Sequence, residues 1–255
     1  MKSSRAVFEV LREISKADVP LGAAEIARLL SLPITTAARA LNTLEAAGYV
    51  ARYHSSAKFV LGKSGQRLAY AFMANFPIRD LALPYLQQLT LLSGNSSSLF
   101  TRLGWYSVRI ALIAGTSSII NVGAVGEARP LTIGAPSLAM LAQLSEEDAT
   151  RALQRNPVTA QQQLREVCAR IRKRGYACEV SSMESGGYDL AFPLCDPTRS
   201  ILGCIALEGL ASGADKSQIE QARQVISPLQ DILAHGASTL APHYEHIDPD
   251  EIDLG

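Results

Sequence analysis

Residues 25–50 read EIARLLSLPITTAARALNTLEAAGYV, and the breaks in this stretch decide the fold of the first third of the chain. Ile26, Leu29 and Leu30 fall at i, i+3 and i+4, the spacing of one helical face, and Gly22 with Glu25 three positions later gives a weak start signal. Leu32 and Pro33 then interrupt the chain. Thr35 or Thr36 can cap a second helix that stops before Gly48, a residue able to close a helix in the left-handed conformation. Within it Ala37, Ala40, Leu41 and Leu44 are expected to face inward.

Upstream, RAVFEVLREIS places Val7, Leu11 and Ile14 at helical spacing, with Phe8 and Val10 widening the stripe. Downstream, residues 49–53 and 58–61 are short β-rich runs around the polar tip HSSA. Three helices and a hairpin make a winged helix-turn-helix over residues 1–62. Charge agrees with this division. Residues 1–63 hold nine Lys/Arg and five Asp/Glu, a net of +4, against −4 for the remainder, so a small basic module is joined to a larger acidic one.

Residues 63–77 read as a connecting helix ending at Pro77. Beyond it the order is mixed. RDLALPYLQQLTLLS is an amphipathic helix interrupted or begun at Pro84. SSLFTRL and SVRIALIAG are strand-like, and SLAMLAQL, SEEDATRALQR and AQQQLREVCARIRKRG are helical. YACEVS, DLAFPLC and ILGCIALEGL are strands again, with CDPTRS a tight turn, and a last helix spans about residues 216–240. This pattern predicts an α+β fold: an antiparallel sheet flanked by helices, a sensor-like domain over residues 78–241, followed by an acidic tail, residues 242–255, expected to be disordered.

Several motifs in order resemble the IclR family of bacterial transcriptional regulators over nearly the whole chain. They are RAVFEVL; the opening stretch with a wing ending FVLG; RPLTIGAPSLAMLAQLSEED; and IRKRGYACEV with GGYDLAFPLCDPTRSILGCIALEGL. The resemblance implies a double-stranded DNA operator, a small-molecule effector held in a GAF-like C-terminal domain, and a homodimer or dimer of dimers assisted by the linker helix. Two positions depart from the family. Ile34 stands where a basic residue often precedes the recognition helix, and Pro136 in the stretch Thr132, Ile133, Gly134, Ala135, Pro136, Ser137, Leu138 lacks the backbone N–H that could hold a ligand carboxylate.

On the DNA side, Thr35 and Thr36 at a helix start suit phosphate, while Arg39 and Asn42 share an exposed face. Arg reads guanine O6 and N7, Asn reads adenine, and the methyls of Ala38 or Thr43 can touch thymine. Arg52, His54, Ser55, Ser56 and Lys58 in the wing are expected to contact the backbone and minor groove. The effector side is assigned Ile133, Gly134, Ala135, Pro136, Ser137, Glu179, Asp189, Ala206 and Glu208. Three carboxylates there would disfavour a small anion and favour a cation, an amine or a hydroxyl-rich donor.

Catalytic and metal chemistry find no pattern. There is no G-x-S-x-G elbow or phosphate loop, and Cys168, Cys178, Cys195 and Cys204 lie 10, 17 and 9 positions apart, without C-x-x-C pairing. His243 and His246 in the tail read as a solvated pair. No catalytic residue, metal or cofactor is expected. With no apolar run near the roughly 18 residues of a membrane span and no signal peptide, the expectation is a cytoplasmic protein without a membrane partner.

Overall fold

The computed structural model describes residues 2–17, 19–74, 76–116, 123–180, 187–210, 215–236 and 249–251. The chain divides into two compact units, residues 1–75 and 76–255.

The first unit contains α1 (Lys2–Lys16), β1 (Leu21–Gly22), α2 (Ala23–Leu29), α3 (Ile34–Ala46), β2 (Val50–Arg52), β3 (Lys58–Leu61) and α4 (Lys63–Met73). Its core joins Val10 and Ile14 of α1 to Ile26 of α2, to Ala37, Ala40, Leu41 and Leu44 of α3, and to Val50 and Phe59 of the wing. Small alanines on the buried face of α3 bring it close to its neighbours. Phe8 and Leu29 were expected on the inner faces, yet they are 70% and 59% exposed, because Ala6, Val10 and Ile14 already fill the α1 stripe and Ile26 carries α2.

Gly48 has φ +73° and closes α3 as expected. The Gly48 N–H donates to Glu45 O and the Tyr49 N–H to Leu44 O, both at 2.9 Å, the paired bonds of a Schellman stop. The start differs. Pro33 is the N-cap, with no side-chain cap bond, so Thr35 and Thr36 lie inside the first turn rather than capping it. A third wing strand, the two-residue β1, pairs with β3 and was too short to carry a periodic signal.

The second unit holds α5 (Pro77–Ser93), β4 (Ser96–Leu103), β5 (Tyr106–Ile113), β6 (Ala128–Pro130), α6 (Ala135–Leu141), α7 (Glu146–Gln154), α8 (Val158–Arg174), β7 (Ala177–Val180), β8 (Gly187–Cys195), β9 (Ile201–Leu210) and α9 (Lys216–Gly236). Its six strands run β6-β5-β4-β9-β8-β7, every neighbouring pair antiparallel. Pro84 neither begins nor ends α5, which starts at Pro77 and ends at left-handed Gly94. The CDPTRS turn is tight: Asp196 Oδ1 accepts from the Thr198 hydroxyl at 2.7 Å and the Ser200 N–H at 2.8 Å.

Helices cover both sheet faces. Leu86 O and Thr90 of α5 bond Ser97, and Gln218 of α9 accepts from the Tyr188 hydroxyl, placing both helices on one side. The wholly buried α6, with α7 and α8 behind it, packs on Phe100, Ala177, Ala191, Cys204 and Ala206 of the other side. The expected tail and last-helix extension fall partly outside the described residues: 237–248, which include His243 and His246, and 252–255. The described part of the tail, Pro249–Glu251, is ordered: it forms a 3₁₀ turn whose Asp250 is hydrogen-bonded to three side chains.

Candidate functional sites

In the first unit α3 presents Thr35, Arg39, Asn42 and Thr43 to solvent, with Thr36 and Ala38 half-buried at the edge of the face. By the geometry of a helix start, the amides of Ile34 and Thr35 lack intrahelical acceptors and are available to an anion. Thr43 turns its hydroxyl back onto Arg39 O at 3.0 Å, which leaves its methyl for apolar contact. Arg39, the one basic residue of the face, projects from an otherwise uncharged surface.

In the wing His54 and Ser55 both take positive φ, 45° and 59°, to turn the tip. The tip is exposed apart from half-buried Ser56, whose hydroxyl accepts from the Lys58 N–H at 3.1 Å. Two wing cations are already partnered. Arg52 Nε meets Glu45 at 3.0 Å, with its guanidinium 4.9 Å from the centre of the Phe59 ring. Lys58 Nζ meets Glu25 at 2.9 Å. The Lys58 bond, then that of the Gly22 N–H, holds the Glu25 carboxyl below its ordinary range. Glu25 thus closes the start of α2 and neutralises a wing lysine together, a coupling that helical periodicity does not reveal.

In the second unit the three acids come together through strand register. Glu179 lies opposite Asp189, Asp189 opposite Glu208, and Glu208 opposite Ser96, so four strands place them in one row on one sheet face. The Glu208 end of the acidic row is held by a residue that sequence reasoning missed. Arg109 on β5 is 2% exposed and donates Nη1 to Glu208 Oε2 at 3.0 Å and Nη2 to Oε1 at 2.9 Å, a two-pronged pair. Its Nη1 also reaches Ser98 Oγ, and the guanidinium lies 4.7 Å from the centre of the Phe100 ring. Arg109 Nε is buried and has no hydrogen-bond partner among the described residues. In SVRIALIAG this arginine interrupts an apolar strand, the one signal that could have found it.

Among the described residues Asp189 has no such partner. Burial, first, and the neighbouring Glu208 carboxylate, second, push its carboxyl up to about 6, although Arg129 and Arg109 pull the other way. Burial also raises Glu179. The cluster therefore combines one neutralised pair, a carboxyl titrating near neutrality, and one unused buried N–H.

The loop residues fare differently. Gly134, φ +87°, starts α6, and Ser137 Oγ lies 2.6 Å from Ser107 Oγ on the same sheet face as Arg109. Ala135 and Pro136 are buried in α6, and Ile133 is 57% exposed. Ala206, two positions from Glu208, belongs to the apolar cluster under α6, because the row of Ala177, Ala191 and Ala206 is where the helix packs. It is packing rather than polar lining.

A winged helix-turn-helix followed by a helix-flanked antiparallel sheet with a buried polar cluster defines a class, that of DNA-binding regulators with a sensory domain. The description "IclR helix-turn-helix domain" matches residues 7–53, and "Bacterial transcriptional regulator IclR C-terminal" matches residues 70–232. The chain belongs to the IclR family of bacterial transcriptional regulators. It is 22% identical to the HTH-type transcriptional regulator XynR of Escherichia coli K12 over 88% of this chain and 92% of that one. Its fold is similar to that of the Thermotoga maritima IclR crystal structure, with a TM-score of 0.73 at 24% identity over 92% and 98% of the two chains. It is also similar to an IclR homolog of Microbacterium hydrocarbonoxydans crystallised with 4-hydroxybenzoate, at a TM-score of 0.70 and 19% identity over 91% and 98%. Among the described residues no helix is long and apolar enough to cross a membrane.

Proposed function

We propose that this regulator reads its operator with Arg39 and Asn42 of α3, anchored on phosphate by Thr35, Thr36 and the wing, and that it does so as a homodimer. One arginine on a flat, small-residue face concentrates base readout at one position per half-site. Because Arg52 and Lys58 already have carboxylate partners, their phosphate contacts exchange one partner for another, and the tip residues His54 and Ser55 carry more of the wing contact. Ile34 adds no charge, so affinity rests on the paired half-sites of two chains. Salt-dependent binding to the DNA upstream of its own gene, measured by fluorescence anisotropy, tests this: a protein that shows no sequence preference there at any salt concentration is not an operator-reading regulator.

The observation that carries the sensory half is the buried Arg109–Glu208–Asp189 cluster. A ligand that donates to Asp189 and Glu179 and accepts from Arg109 Nε relieves the buried carboxyls and the unbonded N–H together; a hydroxyl does both, whereas a protonated amine supplies only the donors. The Microbacterium homolog's 4-hydroxybenzoate carries such a hydroxyl. The cluster binds rather than transforms its ligand, and the ligand alters operator occupancy by favouring one arrangement of the dimer. A thermal-shift panel tests the ligand class: largest stabilisation by short keto acids, which offer only acceptors, would refute it.

A further inference from the structure

Three donors converge on one carboxylate far from the acidic row in sequence. Trp105, in the turn between β4 and β5, donates its indole N–H to Asp250 Oδ1 at 2.7 Å. Arg151 of α7 donates to Asp250 Oδ2 at 2.5 Å, and Arg155, just beyond the last residue of α7, donates to Oδ1 at 2.8 Å. The guanidinium groups of Arg102 and Arg151 lie 5.2 and 5.4 Å from the centre of the same indole ring. Arg102 is in turn paired with Asp148 of α7 at 3.1 Å.

These residues fit one another chemically. Trp105 is 3% exposed, and a buried indole N–H needs an acceptor. Two guanidiniums beside it require that acceptor to be an anion, and Asp250, 145 positions away, supplies both. We propose that Trp105, Arg151 and Arg155 form a carboxylate-binding site whose occupant is the chain's own Pro249–Glu251 turn, held through Asp250 as a latch across α7 and the β4–β5 turn. The ion pairs are about half exposed, with side-chain exposures of 37% and 50% for the arginines and 49% for Asp250, so salt screens them. The latch is therefore a contact that opens under ionic conditions that leave the fold intact. It also touches a sensitive place: Trp105 O accepts from the Leu131 N–H at 2.9 Å, immediately before residues 132–137.

Trp105 is the only tryptophan in the chain, so emission excited at the red edge of the absorption band, where the tyrosines do not absorb, reports on this site alone. In full-length protein, Asp250→Ala is expected to red-shift the emission and to raise the acrylamide quenching constant about twofold, since the indole loses its acceptor and cover. Asp250→Asn, which keeps an oxygen for the indole but not the charge, falls between. Arg151→Gln with Arg155→Gln reproduces Asp250→Ala, with unchanged far-ultraviolet circular dichroism. Raising NaCl to about 1 M, where the screening length falls to about 3 Å, moves wild type toward Asp250→Ala and leaves that variant where it was. Identical spectra and quenching for wild type and Asp250→Ala overturn the proposal. So does a wild-type signal that converts to that of Asp250→Ala on dilution, which would put a second copy's tail in the site.

Discussion

Replacing Asp189 by asparagine should make the unliganded protein more stable, and the gain should depend on pH in a way that identifies its source. The folded chain holds the Asp189 proton up to about 6, whereas an unperturbed aspartate releases it near 3.8. At about 1.36 kcal/mol per pH unit, that difference makes the ionised, buried carboxylate cost up to about 3 kcal/mol. The sign follows from proton binding. Between about pH 4 and 6 the native state carries more protons at this site than the unfolded state, so its stability falls as pH rises and the full cost applies above about pH 6. Asp189→Asn removes that cost while keeping the shape, and the new amide can donate to Glu208. For a domain of this size, with about 2–4 °C of melting temperature per kcal/mol, the variant should melt up to about 6–12 °C higher at pH 8. The two proteins should converge near pH 4. Paired melts of the full-length chain at pH 4.5, 6 and 8 provide the measurement. A variant that melts no higher than wild type at pH 8, or one whose gain is the same at all three values, refutes the reasoning. Glu179, also raised by burial, leaves a smaller slope of the same sign in the variant.

Arg109→Met strands Glu208 beside Asp189 and should destabilise the sheet domain by about 3–5 kcal/mol at pH 8, with partial recovery toward pH 5 as Asp189 protonates. Adding Glu208→Leu should restore most of the loss, so a double-mutant cycle that shows simple additivity in thermal melts refutes the pairing. Glu25→Gln keeps the bond to the Gly22 N–H but releases Lys58. Operator affinity should rise and the salt slope steepen by about one unit in anisotropy titrations, and an unchanged slope would mean that Lys58 does not meet phosphate. Arg39→Ala should erase about 1–3 kcal/mol of discrimination between operator and scrambled DNA with little change in the salt slope; equal loss on both DNAs argues against base reading.

The winged helix was legible because its signals are local. Two small and two large apolar residues at helical spacing, Ala37, Ala40, Leu41 and Leu44, with a proline before the helix and a glycine after it, leave one arrangement of α3. Its cap was misread because threonine favours capping only when the chain before it is extended in the right register, and here Pro33 occupies that place. In the sheet domain the three acids were identifiable as candidates from strand periodicity, but their convergence depends on which strands pair. β9 lies between β4 and β8, a crossover that no neighbouring pair of segments announces. The role of Arg109, beyond its interruption of an apolar strand, was hidden for a related reason. Its strand reaches Glu208 across β4, and the register shift at Leu99/Phe100 sets Phe100 opposite Arg109. The same parity that brought Glu208 into the row carried Ala206 into the apolar half of that face, so strand spacing alone could not separate lining from packing.

The two halves of that sheet face set a limit on what an effector can do. Alanines and Cys204 fix α6 on one half by close packing, which leaves the polar half little freedom to relieve its own electrostatics by moving. A raised carboxyl and an Arg109 Nε without a partner among the described residues therefore persist there as a standing cost. A ligand gains by removing that cost, but it changes operator binding only to the extent that the cost differs between the two arrangements of the protein. Asp189→Asn separates these quantities. It stabilises the empty protein without ligand, so a variant that also shifts operator affinity in the ligand's absence would show that ionisation of Asp189 itself biases the arrangement. A variant with unchanged operator affinity but weakened effector response would place the coupling in the contacts that the ligand makes with Arg109 and Glu179.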